Sequence, residues 1–162
     1  MKAGDVIERK GGTPALIDAS QTVAEAIRQM RDRRVRALIV TDKSQLVGVA
    51  DGGTILSRLD EVGGAALDEK VAELRIERAV TVGPDALLSD VGGLFQKERV
   101  DYVCVVAGGT VDGVLTRVEV LTRLLDHVEF LNEQMRNYVS NAGYVESDDD
   151  SSPDARGKDA CD

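Results

Sequence analysis

Gly48-Val49-Ala50-Asp51-Gly52-Gly53-Thr54 and Gly113-Val114-Leu115-Thr116-Arg117-Val118-Glu119 decide the fold, because they are one stretch met twice at an offset of 65 residues. Working outward, Asp5–Leu59 lies over Lys70–Leu124 at that offset without a gap. Val6/Val71 and Glu8/Glu73 open each copy, and Arg34-Val35/Arg99-Val100 sit in its middle. Val40/Val105 comes before the Gly-Val pair, with Leu56/Leu121 and Arg58-Leu59/Arg123-Leu124 after it. A fixed period means two copies of one supersecondary unit. A unit of roughly 60 residues buries too little surface to be secure alone. The halves should therefore pack as a pseudo-twofold pair with a cleft between them.

Each copy reads β-α-β-β-α behind a short helical lead-in, an α+β fold. Ala15–Asp18 and Ala79–Val82 are brief apolar strands, and the turns after them place Ser20 and Asp85 near a helix N-cap. Val23, Ala26, Ile27 and Met30 recur at helical spacing over Val23–Arg33, and Leu88, Val91, Leu94 and Phe95 do so over Leu88–Glu98. Gly92-Gly93 inside the second helix costs about 1 kcal/mol per glycine, which suggests close approach of another backbone. Ala37–Thr41 and Tyr102–Val106 are apolar runs of the kind found in buried strands. Asp42-Lys43-Ser44 and Ala107-Gly108-Gly109 then turn each chain back into a third strand, Leu46–Ala50 or Val111–Thr116. A helix follows in both copies, at Gly52–Leu59 and from Arg117 onward.

The second of these helices does not stop where the first does. Leu121, Leu124, Val128, Leu131, Met135 and Tyr138 alternate in +3, +4 steps, a heptad seam. Over Arg117–Ser140 such a helix is roughly 36 Å long, more than the repeat needs, so it should pack on a partner or fold back on its own domain. The expected organisation is repeat one at 5–62, a linker at 63–69, repeat two at 70–125, a helical extension at 126–141 and an acidic disordered tail at 142–162.

Charge and cysteine content exclude several classes. The net charge is −9, of which the seven acids and two bases of Glu146–Asp162 supply −5. An acidic surface argues against nucleic acid, whose phosphates demand clustered Lys and Arg. The one basic cluster, Arg28, Arg31, Arg33, Arg34 and Arg36, lacks aromatics and reads as a solvated helix end. Cys104 lies in an apolar strand and Cys161 in the tail, so no disulfide framework is expected. His127, the one histidine, has no Cys/His neighbours for zinc. No apolar run approaches the ~20 residues of a membrane helix, and MKAGDVIERK has no apolar signal region. A reducing cytoplasm is the expected compartment.

With its β-α-β-β-α unit doubled and a Gly-Val pair in both third strands, the chain resembles a CBS-domain pair of the small stand-alone bacterial type. The resemblance covers about Val6 to Leu125. It implies two repeats packed sheet to sheet, an adenosine nucleotide (AMP, ADP or ATP) as regulatory ligand in the cleft, and a homodimer. The family's ligand signature is glycine, two apolar residues, Ser/Thr, two variable residues and Asp. By that match Thr116 supplies the hydroxyl, Glu119 replaces the Asp one methylene longer, and Arg117 meets phosphate. Free amides at a helix start favour phosphate, and a carboxylate accepts from both ribose hydroxyls. Copy one exchanges the acid and the hydroxyl, as Asp51 and Thr54. Tyr102 and Ala37, which open the second strands, complete the implied nucleotide site. Both copies lack the proline common in the family's second strand, at Ile39 and Cys104.

Thr116-x-x-Glu119 is equally a capping box, which accounts for both residues without a ligand. Asp51 is likewise a good N-cap and would repel an anion. No Ser/His/Asp or Cys/His set and no phosphate loop is present, so enzyme activity is not expected. Two functions remain: a non-catalytic regulatory module sensing an adenosine nucleotide, or a ligand-free structural module with degenerate sites. The latter would dimerise or dock a protein partner, for instance through the C-terminal helix.

Overall fold

The computed structural model describes residues 1–146, so most of the acidic tail expected at 142–162 lies outside the described residues. The elements run α1 (Ala3–Lys10), β1 (Leu16–Asp18), α2 (Val23–Arg33), β2 (Ala37–Asp42), β3 (Gln45–Asp51) and α3 (Gly52–Val62). Two short 3-10 turns, Gly63–Asp68 and Val71–Glu73, lead to β4 (Glu77–Arg78), β5 (Thr81–Val82), α4 (Leu88–Lys97), β6 (Tyr102–Ala107) and β7 (Thr110–Thr116). The last helix, α5, spans Arg117–Glu146. The chain divides into one compact unit at Met1–Thr122 and a second from Arg123, whose described part is the remainder of α5.

The first unit is the expected α+β pair of tandem repeats. One sheet has the order β1-β2-β3-β4 and the other β5-β6-β7. In each, the first strand runs parallel to the second, and the second and third form a hairpin. Both hairpins close through two left-handed residues, Lys43-Ser44 (φ 50° and 68°) and Gly108-Gly109 (57° and 81°). The twist of such primed turns matches that of the strands, and the glycines of the second turn adopt it without strain.

Apolar runs at β2 and β6 have a physical reason: both faces of these strands are covered. On the helix side, Leu38 and Val40 pack with Val23, Ala26 and Ile55. On the other side Ala37 and Val49 meet Cys104, Tyr102 and Val114 of the second sheet. The two sheets therefore pack face to face, with helices outside. Repeat two mirrors this, burying Leu88, Val91, Phe95, Val103, Val105, Leu115 and Val120.

The packing units are not the sequence repeats. Helix α1 opens repeat one but docks on repeat two: Ala3 N donates to Ala86 O and Gly4 N to Pro84 O, both at 2.9 Å. Its Ala3 and Val6 are fully buried. Reciprocally, the opening segment of repeat two completes repeat one. Val71 N donates to Gln21 O at 2.8 Å and Val23 N to Glu69 O at 2.9 Å, and Val71 and Leu74 join the repeat-one core. The paired bridges Lys2↔Leu87 and Thr22↔Lys70 mark the same exchange. Gly48 and Gly113 sit where these visiting segments pass. A Cβ at Gly48 would overlap Glu77 O, and one at Gly113 would stand 2.8 Å from Ile7 Cδ1.

Other local expectations are corrected. Helix α2 is capped by Thr22 rather than Ser20, in a reciprocal box with Glu25, while Ser20 bonds Asp18. Helix α4 has Leu87 at its N-cap position with no side-chain cap, so Asp85 does not serve there. The missing Cβ of Gly93 faces open space, so that glycine does not mark a close backbone approach. The linker at 63–69 is itself packed, with Ala66 fully buried and Arg58 gripping Glu69 through two bonds of 2.7 and 3.0 Å. Helix α5 continues past the expected end at 141.

Candidate functional site

At the repeat-one end of the cleft, β3 delivers Asp51 to the start of α3. Its Oδ1 accepts from Thr54 N at 2.9 Å and from the Thr54 hydroxyl at 3.0 Å. Its Oδ2 accepts from the Tyr102 hydroxyl at 2.8 Å, a bond that joins the two repeats. Tyr102 starts β6 opposite Thr116. Since Arg117 N donates to Asp101 O at 3.1 Å, Tyr102 and Thr116 form a non-hydrogen-bonded pair, whose amides lie outside the ladder. Glu77 of β4 takes up the amide so freed. Its Oε1 accepts from Asp101 N at 2.7 Å and Tyr102 N at 3.0 Å.

Three carboxylates, Asp51, Glu77 and Asp101, thus gather at this end, and the protonation of Asp51 and Glu77 follows from their partners. Burial pushes the Asp51 carboxyl up, but bonds from Thr54 and Tyr102 outweigh it and hold it below the usual range. For Glu77, burial together with the charges of Asp101 and Asp51 outweighs its two amide bonds and raises it. Burial and the Asp51 charge raise the Tyr102 phenol well above its ordinary value. An anionic ligand would meet repulsion here.

The sign for Glu77 is testable. A carboxyl raised on folding penalises the fold above its folded pKa, and the penalty fades as pH falls toward the unfolded value. Glu77→Gln keeps the carbonyl acceptor and removes the charge. Urea titrations should show the variant at least as stable as the wild type at pH 7. Its relative advantage should shrink as pH drops through the folded pKa of Glu77 toward the ordinary 4.5.

The repeat-two end is built differently. Thr116 Oγ1 accepts from Glu119 N at 3.1 Å, and Glu119 Oε2 accepts from Thr116 N at 3.3 Å, a reciprocal capping box. Lys10, at the end of α1, donates to Val114 O at 2.8 Å and to Glu119 Oε2 at 3.3 Å. At the 65-residue offset, Thr116 stands for Asp51, Glu119 for Thr54, Ala37 for Tyr102 and Gly12 for Glu77. Ala37 faces Asp51 in the register that Tyr102 holds with Thr116. The bulky phenol and the carboxylate of one end are thereby a methyl group and a hydrogen at the other.

Arg117 stands apart from Thr116 and Glu119. Its guanidinium donates to Val100 O at 2.9 Å and pairs with Asp101 at 3.2 Å. It lines a groove of about 630 Å³ with Gly92, Phe95, Gln96, Arg99 and Leu121. The structure thus gathers Asp51, Thr54 and Tyr102 into one cluster and Thr116 and Glu119 into another. Glu77 and Lys10 join these clusters although no motif singled them out. The visible signal for Glu77 was its mismatch with Gly12 across the repeat. Cys104 lies in the sheet interface, where burial and the Glu77 charge raise its thiol to about 11 and leave it unreactive.

A model of the CBS domain matches the chain twice, over residues 4–61 and 71–126. The chain belongs to the CBS-domain family. It is a CBS pair, a module of the regulatory kind. No curated protein matches its sequence. Among solved structures, the CBS-domain protein ATU1752 of Agrobacterium tumefaciens is similar at a TM-score of 0.67 and 18% identity, covering 76% of this chain and 98% of that one. The CBS domain protein PAE2072 of Pyrobaculum aerophilum, complexed with AMP, is similar at 0.64 and 16%, covering 78% and 99%. At such identities the likeness shows the CBS fold alone. Among the described residues, no helix of this CBS pair is long and apolar enough to cross a membrane.

Proposed function

We propose that this CBS pair is a non-catalytic, cytoplasmic, homodimeric regulatory module that senses an adenosine nucleotide of the AMP, ADP or ATP class, at the repeat-two end only. The observation that carries the reading is the asymmetry of the cleft. Tyr102, Glu77 and their acidic neighbours occupy the repeat-one end, whereas Ala37 and Gly12 stand at the matching places of the other. The start of α5 offers amide hydrogens and a positive dipole end to phosphate, and Lys10 adds a cation beside Glu119. Thr116 keeps its hydroxyl proton to donate, and Glu119 keeps a second carboxylate oxygen for ribose. Arg117 is assigned to Val100 and Asp101 rather than to the ligand. The AMP complex of PAE2072 supports the ligand class.

Calorimetry of the full chain with AMP, ADP and ATP tests this. One nucleotide per chain is expected, with Thr116→Ala about tenfold weaker from the loss of one buried hydrogen bond. Tyr102→Phe should bind as the wild type does. Neither heat nor a thermal shift at millimolar nucleotide would favour the second reading, a ligand-free module that dimerises or docks a protein partner. That reading has its own support, because the capping box engages both Thr116 and Glu119 without a ligand.

A further inference from the structure

The part of α5 beyond Arg123 carries an apolar stripe that is exposed among the described residues. Leu124, Val128, Leu131, Met135 and Tyr138 follow the heptad steps, with Leu125 and Val139 beside them. All but Leu124 are exposed, Leu125 by 63%, Met135 by 67% and Tyr138 by 77%. A lone helix gains nothing from such a stripe, since its stability in a protein comes from packing an apolar face. We propose that this face is an interface between two copies of this chain, their α5 helices pairing side by side as a short coiled coil.

The flanks of the seam point to a second copy rather than a different protein. Coiled coils choose foreign partners through charges at the positions beside the seam. Those positions here are Leu125, His127, Asn132, Gln134, Val139 and Asn141, none of them acidic or permanently charged. The charged residues Arg123, Asp126, Glu129, Glu133 and Arg136 all lie on the remaining helix positions. Two chains of net charge −9 can therefore meet along this stripe without like charges opposing each other. Val128 and Leu131 also fit the two-stranded preference for a β-branched residue followed by leucine in the core. Covering the seven side chains would bury on the order of 700 Å² per copy, close to the ~800 Å² per partner of a standard interface.

The proposal rests on the homodimer named above and not on nucleotide binding, so calorimetry and sedimentation can fail independently. Sedimentation equilibrium of the full chain compares the wild type with Leu131→Glu and with Glu133→Lys, which changes a charge away from the seam. Circular dichroism checks that each variant keeps its helix, and Met135→Glu replaces Leu131→Glu if that variant loses it. The wild type should self-associate, the seam variant at least tenfold more weakly, and Glu133→Lys like the wild type. A monomeric wild type would overturn the proposal. So would a seam variant that sediments as the wild type does at every concentration, because association would then use another face.

Discussion

Gly48→Ala should destabilise the protein by about 3 kcal/mol, at the upper end of what forcing extra volume into a packed region costs. The added methyl would overlap Glu77 O, a backbone atom with no rotamer to change, and would also stand 2.8 Å from Ile76 Cγ2. To admit it, β4 must part from β3, and the register pairs Gly48↔Arg78 and Val49↔Glu77 open. Gly113→Ala is the control. Its new methyl meets only the side chain of Ile7, which can turn aside, so about 1 kcal/mol is expected. Urea midpoints at constant slope measure both. Equal losses at the two glycines would show that β4 is not the rigid obstacle.

Asp51→Ala should cost about 2–3 kcal/mol, because one carboxylate serves two structures. As N-cap it satisfies the Thr54 amide, a role whose loss costs about 1 kcal/mol. As acceptor it holds the Tyr102 hydroxyl of the other repeat at 2.8 Å, and a bond to a charged group contributes about 1.5–3 kcal/mol. A double-mutant cycle with Tyr102→Phe separates the two. The coupling should be about 1 kcal/mol or more, and the cap loss should persist in the Phe background. A coupling near zero would mean that the inter-repeat bond contributes nothing in solution. Acid should imitate part of this: a carboxyl held low by its partners loses their support as pH falls below its unfolded value and through its folded one.

Much of the fold was legible because it is local or periodic. The offset of 65 residues exposed the repeat, and the apolar runs at Ala37–Val40 and Tyr102–Val106 announced strands covered on both faces. The hairpins followed from their turn residues. Thr22-Val23-Ala24-Glu25 spells a capping box and is legible too, whereas Ser20, a residue type equally suited to an N-cap, is spent on Asp18. The exchange of lead-in segments was not legible, since nothing in AGDVIERK says which of two similar sheets it covers. The candidate site shows the same limit. Signature residues stand out by pattern, whereas Glu77 acts through two backbone amides, and backbone amides carry no sequence signature. Arg117 sits inside the signature, yet the carbonyl of Val100 and the carboxylate of Asp101 hold it elsewhere.

The exchanged lead-ins also set an order of events on the ribosome. Repeat one cannot close its core when its own last helix emerges, because Val71 and Leu74 must still be made. Its fourth strand, Glu77–Arg78, comes later again. Helix α1 waits longer: the carbonyls of Pro84 and Ala86 that it needs lie some eighty residues downstream, and the hairpin it covers ends only at Thr116. The first helix synthesised is thus among the last to dock. Until then its Ala3 and Val6 face are bare, as is the β7 surface around Gly113. Such long-range closure slows folding and leaves apolar surface open meanwhile.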